Sequence, residues 1–462
     1  MKKKLLSASL VGVLAVTMLA GCGSSSSTTS TAASTATAST AASAATSTAA
    51  STAASTATSS TAASGTSLRL VNGKIEVDSQ LKELAAAYQK ETGVEVQIES
   101  MGGGVDIQST LKGYYQADNM PDIFVCGSDS DFKNWTGHLA DMSSESWVSD
   151  TDGAYKDSDG KTVGFPYTTE AIGLAYNADL LTKAGIDPKS ITGPDSLQKA
   201  FETLDSKKAD LGLTAVIGYC AEPTNLYWST GNHLFGVYLD AGLKRDDTKY
   251  IDMLNNGGAL DSTRFADYAN MIALFNKYSD PSLLVSGTYD QQILNFASGK
   301  YAFVTQGSWI GATMTSNDAD QYKAAGNFKV GMLPYAFEDG IDTIQTNTPS
   351  WWAVYDGKNA TAAKAFLAWC AGDEGQQYLV KKAGFVSPFK SCTYVADDPF
   401  AQTIVDYTAA GKTSAWHWLQ MKDGIAQNAT GQVYADFASG SIADATAFAS
   451  TMAQVCKQYY AS

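Results

Sequence analysis

Glu170 stands alone between two apolar, strand-like runs in the stretch VGFPYTTEAIGLAYN, residues 163–177. Asp129 and Glu222 are two further acids that could meet it in one cleft. Two carboxyl groups about 5–5.5 Å or about 6.5–9.5 Å apart would suit the hydrolysis of a glycosidic bond. A single carboxylate could instead cap a turn or act as a fixed acceptor for a bound solute. The sequence does not set the separation, so an enzyme and a binding protein both stay open on these residues alone.

Other chemistry receives little support from the sequence. It contains no GxSxG, P-loop, GxGxxG or HExxH motif. Beyond Cys22 it has five cysteines and three histidines, none in a CxxC or other metal-ligand spacing: Cys126, Cys220, Cys370, Cys392, Cys456, His138, His233 and His417. We therefore expect no cofactor and no zinc or iron site, while one disulfide among the late cysteines stays open. The aspartates at 150, 152, 157 and 159 lack the full pattern of an EF-hand calcium loop.

Alternating helix and strand patterns are expected to position these acids. Leu81, Leu84, Ala85 and Tyr88 recur at helical spacing, and the runs VEVQIE and DIFVC that follow predict strands. The pattern continues along the chain, which indicates an α/β fold whose sheets are mostly parallel and flanked by helices. Residues 66–462 are too many for one hydrophobic core, so we expect two lobes.

The N-terminus predicts export and anchoring rather than a part of the fold. A basic start, MKKK, precedes a short apolar run that ends in LAGC, which resembles the lipobox of bacterial lipoproteins. We expect a signal peptide over 1–21, lipid on Cys22, and a disordered Ser/Thr/Ala-rich tether over 22–65. The expected location is the extracellular face of the membrane, on a Gram-positive cell surface. The formal net charge of −15 argues against nucleic acid or an anionic membrane as the direct partner.

Four blocks, in order, resemble one family. They are MPDIFVCGSDSDF, GKTVGFPYTTEAIGLAYNADLLTKAGI, FASGKYAFVTQGSW, and the long block that begins TPSWWAVYDGKNATAAKAFLAWC. Together with the lipobox and tether they resemble the extracellular solute-binding proteins of ABC transporters, in the sugar-binding group that includes maltose-binding protein. The blocks are spread over essentially the whole globular part.

The resemblance implies two α/β lobes joined by crossing strands, with the ligand in the cleft between them. Crossings are expected near Glu170, near Thr346–Trp351 and near Pro388–Cys392. This would build lobe one from 66–169 and 350–386, and lobe two from 172–346 and 392–462. It implies a carbohydrate-binding monomer, expected to hold an oligosaccharide, that is not an enzyme and delivers its ligand to the transmembrane subunits of a permease.

The resemblance also implies site residues, because sugars need aromatic planes for stacking and planar groups for their hydroxyls. Trp309 stands where the family has a stacking ring, and Asp129 where it has a sugar-binding aspartate. One of Trp351 and Trp352 is expected to face the cleft, since neighbours on a strand point to opposite faces. The expected ligand-binding set is Asp129, Tyr167, Glu170, Glu222, Tyr227, Trp228, Trp309, Trp351 and Trp352. Trp416 and Trp418 could line one end of the cleft, whereas Trp135, Trp147 and Trp369 are expected to pack internally.

Two alternatives to a sugar are a cationic solute and an anion. Acids and aromatic rings would suit a polyamine through cation–π contacts. An anion site would favour arginine, which occurs only at Arg69, Arg245 and Arg264.

Overall fold

The computed structural model describes residues 66–102 and 104–462. The expected signal peptide, Cys22 and the tether lie outside the described residues. Within the described part, no helix has both the length and the apolar character needed to span a bilayer.

The described chain alternates strands and helices. The strands are β1 Ser67–Asn72, β2 Glu95–Ser100, β3 Ile123–Cys126, β4 Tyr155–Lys156, β5 Thr162–Pro166, β6 Glu170–Ile172, β7 Leu174–Asn177, β8 Ala215–Gly218, β9 Tyr301–Val304, β10 Val330–Leu333, β11 Ile344–Asn347, β12 Trp351–Val354 and β13 Thr413–Ser414. The helices are α1 Asp78–Thr92, α2 Ile107–Gln116, α3 Asp129–Asn134, α4 Ala178–Ala184, α5 Pro194–Ser206, α6 Lys208–Leu211, α7 Phe235–Asp240, α8 Lys249–Asn255, α9 Ser262–Tyr278, α10 Tyr289–Ala297, α11 Ile310–Thr315, α12 Ala319–Ala324, α13 Ala360–Ala371, α14 Asp373–Gln376, α15 Ala401–Ala409, α16 Gly431–Ala438 and α17 Ala445–Ala461. Short 3-10 or π-helical segments lie at Ile75–Val77, Ser146–Asp150, Pro188–Ser190, Ser229–Leu234, Gln377–Lys382, His417–Gln420 and Ala426–Thr430.

A six-stranded sheet forms the centre of the first lobe, in the order β2-β1-β3-β12-β5-β4. Strands β1, β2 and β3 run parallel to one another. Strand β12 joins them antiparallel between β3 and β5, although it lies far along the chain. The chain therefore leaves this lobe and later returns to it.

A four-stranded sheet, β10-β7-β9-β8, forms the centre of the second lobe. Strands β8 and β9 are parallel, while β7 and β10 pair antiparallel. In a third small sheet, β13-β11-β6, Glu170 of β6 pairs with Asn347 of β11. The two-lobe α/β fold predicted from the sequence is confirmed.

Several local predictions are confirmed for local physical reasons. Leu81, Leu84, Ala85 and Tyr88 are the buried residues of α1, which ends at Gly93 in the left-handed conformation that glycine adopts without strain. The Asn177 side chain caps α4 by accepting the Leu180 N–H, as the sequence predicts. The five cysteines in the described part are all free thiols, so no disulfide forms there.

Candidate functional site

A cavity of about 900 Å³ lies between the two lobes. Its walls are built largely from segments that follow β1 and β3 in the first lobe and β8 and β9 in the second. The carboxyl ends of parallel strands are where open α/β sheets place ligands. The lobes meet beside this cavity, where the backbone of Gly104 in the first lobe comes close to Asn225 in the second. A Cβ added at Gly104 would lie only 3.3 Å from the Asn225 Cα. The cavity is therefore an interlobe cleft of a size that suits a small ligand.

Aromatic rings form the second-lobe wall of this cleft. The His233 ring lies at their centre, with its centroid 4.9 Å from Trp309, 5.1 Å from Trp418 and 5.3 Å from Trp228. Burial and the nearby Lys74 ammonium lower the pKa of His233 to about 3, so its imidazole is neutral at physiological pH. Trp416 lies next to Trp418, with ring centroids 5.8 Å apart. This aromatic wall, defined as Trp228, His233, Trp309, Trp416 and Trp418, offers several ring faces to a flat apolar ligand surface.

One side of the cleft carries an ion pair between the segment after β1 and strand β6. The Lys74 ammonium, just beyond β1, donates to the Glu170 carboxylate and lies 3.5 Å from Glu76. All three side chains are largely buried. Burial alone would lower the pKa of Lys74, but the Glu170 and Glu76 carboxylates raise it above its ordinary value. Burial raises the pKa of the Glu170 carboxyl, and the ammonium opposes that rise. Lys74 also lies 5.8 Å from the Trp309 ring centroid, so the ion pair adjoins the aromatic wall.

Glu222 lines the cleft, yet its carboxylate is engaged by its own loop. It accepts backbone N–H bonds from Thr224 at 3.0 Å, Asn225 at 2.6 Å and Leu226 at 3.2 Å. Partial burial acts to raise the pKa of Glu222, but these donors lower it overall. Glu222 thus fixes the loop that leads into Trp228 of the aromatic wall.

Asp131 is an acid of the first-lobe wall that the sequence analysis did not select. Its Oδ2 accepts the Gly127 N–H at 2.7 Å, and no ion pair to it occurs among the described residues. Burial raises the pKa of Asp131 to about 6, although the Gly127 N–H acts against this. A carboxylate in this state is suited to accept a hydrogen bond or a positive charge from a ligand.

A family model described as bacterial extracellular solute-binding protein matches residues 83–404, which is more than half of the chain. The chain belongs to the bacterial extracellular solute-binding proteins. As its description states, this family binds solutes outside the cell, and the relatives named below are solute-binding proteins rather than enzymes. No group of residues able to hold a metal ion occurs in the described part of this solute-binding protein.

Named relatives agree with this assignment. A maltooligosaccharide ABC transporter solute-binding lipoprotein of Streptococcus pneumoniae is 27% identical over 66% of this chain and 68% of its own. The melibiose/raffinose/stachyose-binding protein MelE of Bacillus subtilis is 25% identical over 63% of this chain and 66% of its own. Among solved structures, a chitin oligosaccharide binding protein superposes with a TM-score of 0.67 at 19% identity, over 86% of this chain and 99% of that one. At that identity the likeness concerns the fold.

Five of the residues predicted for the site of this solute-binding protein do line the cleft: Glu170, Glu222, Tyr227, Trp228 and Trp309. The other four, Asp129, Tyr167, Trp351 and Trp352, do not. Cys22 lies outside the described residues.

The two adjacent tryptophans differ from their expected placement because β12 is an interior strand of its sheet. They point to opposite faces as predicted, but other side chains cover both faces. Trp352 stacks 4.6 Å from Tyr167, and both are fully buried. Trp351 packs 5.4 Å from the Tyr155 ring, and its indole N–H donates to the Gly153 carbonyl at 2.6 Å. Neither indole therefore lines the cleft.

Tyr167 and Asp129 also lie behind the residues that line the first-lobe side of the cleft. The Tyr167 hydroxyl bonds to Ser350, and Ser350 rather than Tyr167 lines the cleft. Burial and the neighbouring Asp129 carboxylate raise the pKa of the Tyr155 hydroxyl, which places Asp129 beside that ring. Trp135 and Trp147 are buried, in agreement with their expected packing role.

Lys74, His233 and Asp131 are among the cleft residues that the sequence analysis did not select. Lys74 follows β1 and Asp131 closely follows β3, so the rule that ligands meet the carboxyl ends of parallel strands could have found both. His233 sits inside a π-helical segment, and no sequence signal marks it.

Proposed function

We propose that this solute-binding protein captures a carbohydrate, an oligosaccharide in particular, by closure of its lobes and delivers it to the transmembrane subunits of an ABC permease. The observation that carries the proposal is the aromatic wall, which faces hydrogen-bonding groups of the other lobe across the same cleft. Sugar rings present apolar faces for stacking and hydroxyls for carboxylates, so both surfaces would be used at once. The sugars named for the relatives from Streptococcus pneumoniae and Bacillus subtilis support the same class.

Lobe closure requires the chain to divide as the sequence suggests. We propose lobe one as 66–169 and 350–386, and lobe two as 172–346 and 392–462. The adjacent course of β6 and β11 supports a hinge at that point, because two strands that cross side by side can bend together. In the proposal Glu170 and Glu222 line the ligand cleft directly with Tyr227, Trp228 and Trp309. Asp129, Tyr167, Trp351 and Trp352 support it from behind.

A cationic solute is the second candidate, favoured by one observation. Asp106 and Asp131 line the cleft without an ion-pair partner among the described residues, and Lys74 is the only lysine or arginine that lines it there. This excess of acids would suit a polyamine beside the aromatic wall.

A thermal-shift screen separates these candidates. The panel is maltotriose, raffinose, stachyose, chitotriose and spermidine, and calorimetry follows for each hit. A ligand that binds only the folded state raises the midpoint by mass action. We expect a saturable rise with at least one oligosaccharide and none with spermidine. A rise with spermidine alone would overturn the carbohydrate proposal.

We propose a lipid anchor on Cys22, a Gram-positive cell surface and a monomeric state. Replacing Cys22 with serine should release the protein into the medium, because a signal peptide without the lipidated cysteine gives no stable anchor. Continued recovery of the Cys22→Ser protein in the membrane fraction would refute the anchor. Light scattering of the purified protein tests the monomer.

A further inference from the structure

The segment that carries Trp416 and Trp418 is attached to the second lobe through the residue between them. His417 is 7% exposed, and it lies against Asp240, the last residue of α7, which is 1% exposed. The His417 backbone N–H donates to Asp240 Oδ2 at 2.9 Å, and Nδ1 lies 2.5 Å from Oδ1. One buried carboxylate therefore binds both the main chain and the ring of a single residue.

The support behind Asp240 is itself rigid. The Arg264 guanidinium donates to the Tyr238 carbonyl at 2.8 Å and to the Ala241 carbonyl at 2.6 Å, which fastens the end of α7 on both sides of Asp240. Arg264 is 5% exposed and forms an ion pair with Glu338. Because the Asp240 carboxylate is held in place, it can fix the orientation of the His417 ring that it binds.

Both indoles beside His417 line the cleft. Their ring centroids lie 6.0 Å (Trp416) and 5.1 Å (Trp418) from His233, which in turn contacts Trp309. A shift of His417 would therefore move two rings of the aromatic wall and loosen the packing of a third.

We propose that Asp240 and His417 are positioning residues for ligand binding, which orient Trp416 and Trp418 toward the ligand without touching it. The proposal rests on the proposed function, since it assigns these indoles to the capture of a carbohydrate. The role differs from simple core packing in one respect: the pair sets the direction of two rings of the aromatic wall, so its loss should change ligand affinity as well as overall stability.

The charge of this pair gives the role a pH signature. The hydrogen bond to Asp240 raises the pKa of His417, and burial acts against it. Arg245 acts to lower that pKa and Asp252 to raise it, while His233 and Asp131 lie on the other elements packed against this segment. Because the folded-state pKa of His417 lies above the unfolded value, the charge-assisted bond is present below that unfolded value for as long as Asp240, whose own pKa burial raises, stays ionised. It weakens as the pH rises through the folded-state pKa.

The test compares Asp240→Asn, His417→Ala and His417→Asn with a control, Tyr268→Phe. Tyr268 is a fully buried second-lobe residue whose hydroxyl bonds to Tyr434 at 2.6 Å and to the Leu234 carbonyl at 2.8 Å, and it does not line the cleft. The control removes buried hydrogen bonds of the same lobe and leaves the bonds between Asp240 and His417 in place. His417→Asn retains a side-chain N–H that can replace Nδ1 as donor, but it does not titrate.

The first measurement is maltotriose affinity by calorimetry, repeated with raffinose and chitotriose. We expect Asp240→Asn and His417→Ala to weaken binding about tenfold, the equivalent of one hydrogen bond to a charged group. Tyr268→Phe should lower the melting temperature but leave the affinity unchanged, and His417→Asn should recover most of the binding that His417→Ala loses. Wild-type affinity should fall as the pH rises through the His417 transition, and His417→Asn should lack this step. Equal affinity in Asp240→Asn and the control would overturn the proposal.

A second measurement needs no ligand, so it separates this proposal from the choice of solute. Protein labelled with 5-fluorotryptophan gives a 19F signal for each indole, and Trp→Phe variants assign Trp416 and Trp418. We expect Asp240→Asn to shift or broaden these two signals while the Trp147 and Trp369 signals stay fixed. Unmoved Trp416 and Trp418 signals would overturn the positioning role even if a carbohydrate binds. Altered signals with no carbohydrate binding would support the positioning role of Asp240 and His417 and overturn the proposed function.

Discussion

Replacing Lys74 with methionine tests the ion pair at one side of the cleft. Among the described residues Lys74 is the ion-pair partner of Glu170, whose side chain is 7% exposed. Lys74 itself has a second carboxylate, Glu76, at 3.5 Å. The pair is thus asymmetric, because removal of the cation leaves Glu170 without compensation, whereas removal of Glu170 leaves Lys74 with a partner.

The asymmetry sets the expected magnitudes. Breaking a buried ion pair by removal of one partner costs about 3–5 kcal/mol, so we expect Lys74→Met to lower the free energy of unfolding by an amount in that range. Glu170→Gln should cost about 1–2 kcal/mol, because Glu76 still balances Lys74. The double variant should be more stable than Lys74→Met alone, since Glu76 is then the one carboxylate of this cluster left without the ammonium, instead of both Glu76 and Glu170.

Urea unfolding at neutral pH, followed by tryptophan fluorescence and circular dichroism, gives these free energies. The matched control is Lys82→Met, because Lys82 pairs with Asp78 on the surface and such exposed pairs contribute little. In Lys74→Met the ammonium no longer opposes the rise in the Glu170 pKa that burial causes. The cost of this substitution should therefore be larger at pH 8 than at pH 5, where Glu170 can protonate. A Lys74→Met cost equal to that of Glu170→Gln, or independent of pH, would refute the reasoning.

Three further predictions concern the walls of the cleft. Trp309→Ala should weaken carbohydrate binding at least about tenfold in calorimetry. The melting temperature should stay close to wild type, because this ring is partly exposed at the cleft. Unchanged affinity would reject the stacking role of Trp309. Asp131→Asn should raise the melting temperature at pH 7, since burial raises this pKa to about 6 and its ionised form is disfavoured in the fold. That difference should close as the pH falls to 4, and a constant difference would contradict it. Glu222→Ala should lower both melting temperature and affinity by releasing the loop that carries Trp228, whereas Glu222→Gln, which keeps an acceptor oxygen, should retain more of both.

The sequence predicts best those features that depend on neighbours within one element. The buried face of α1 and the Asn177 cap follow from spacing and from a single side-chain bond, so both were predictable. The strand character of Trp351 and Trp352 was predictable for the same reason. Their burial was not, because it depends on β12 lying between β3 and β5, strands that come much earlier in the chain. The central position of His233 likewise depends on tryptophans from three separate segments.

The choice between Asp129 and Asp131 shows how one local assignment decides a site residue. On a strand, residues two apart share a face, and Asp129 and Asp131 would then have pointed the same way. The chain instead begins α3 at Asp129, with the Ser128 side chain as its N-cap. On a helix the direction turns by about 100° per residue, so two positions differ by about 200° and lie on nearly opposite sides. Asp129 consequently lies beside Tyr155, while Asp131 faces the cleft and accepts the Gly127 N–H. Ser128, a residue able to cap a helix, stands immediately before Asp129. In such a sequence the helix places Asp131, rather than Asp129, as the acid to test for ligand binding.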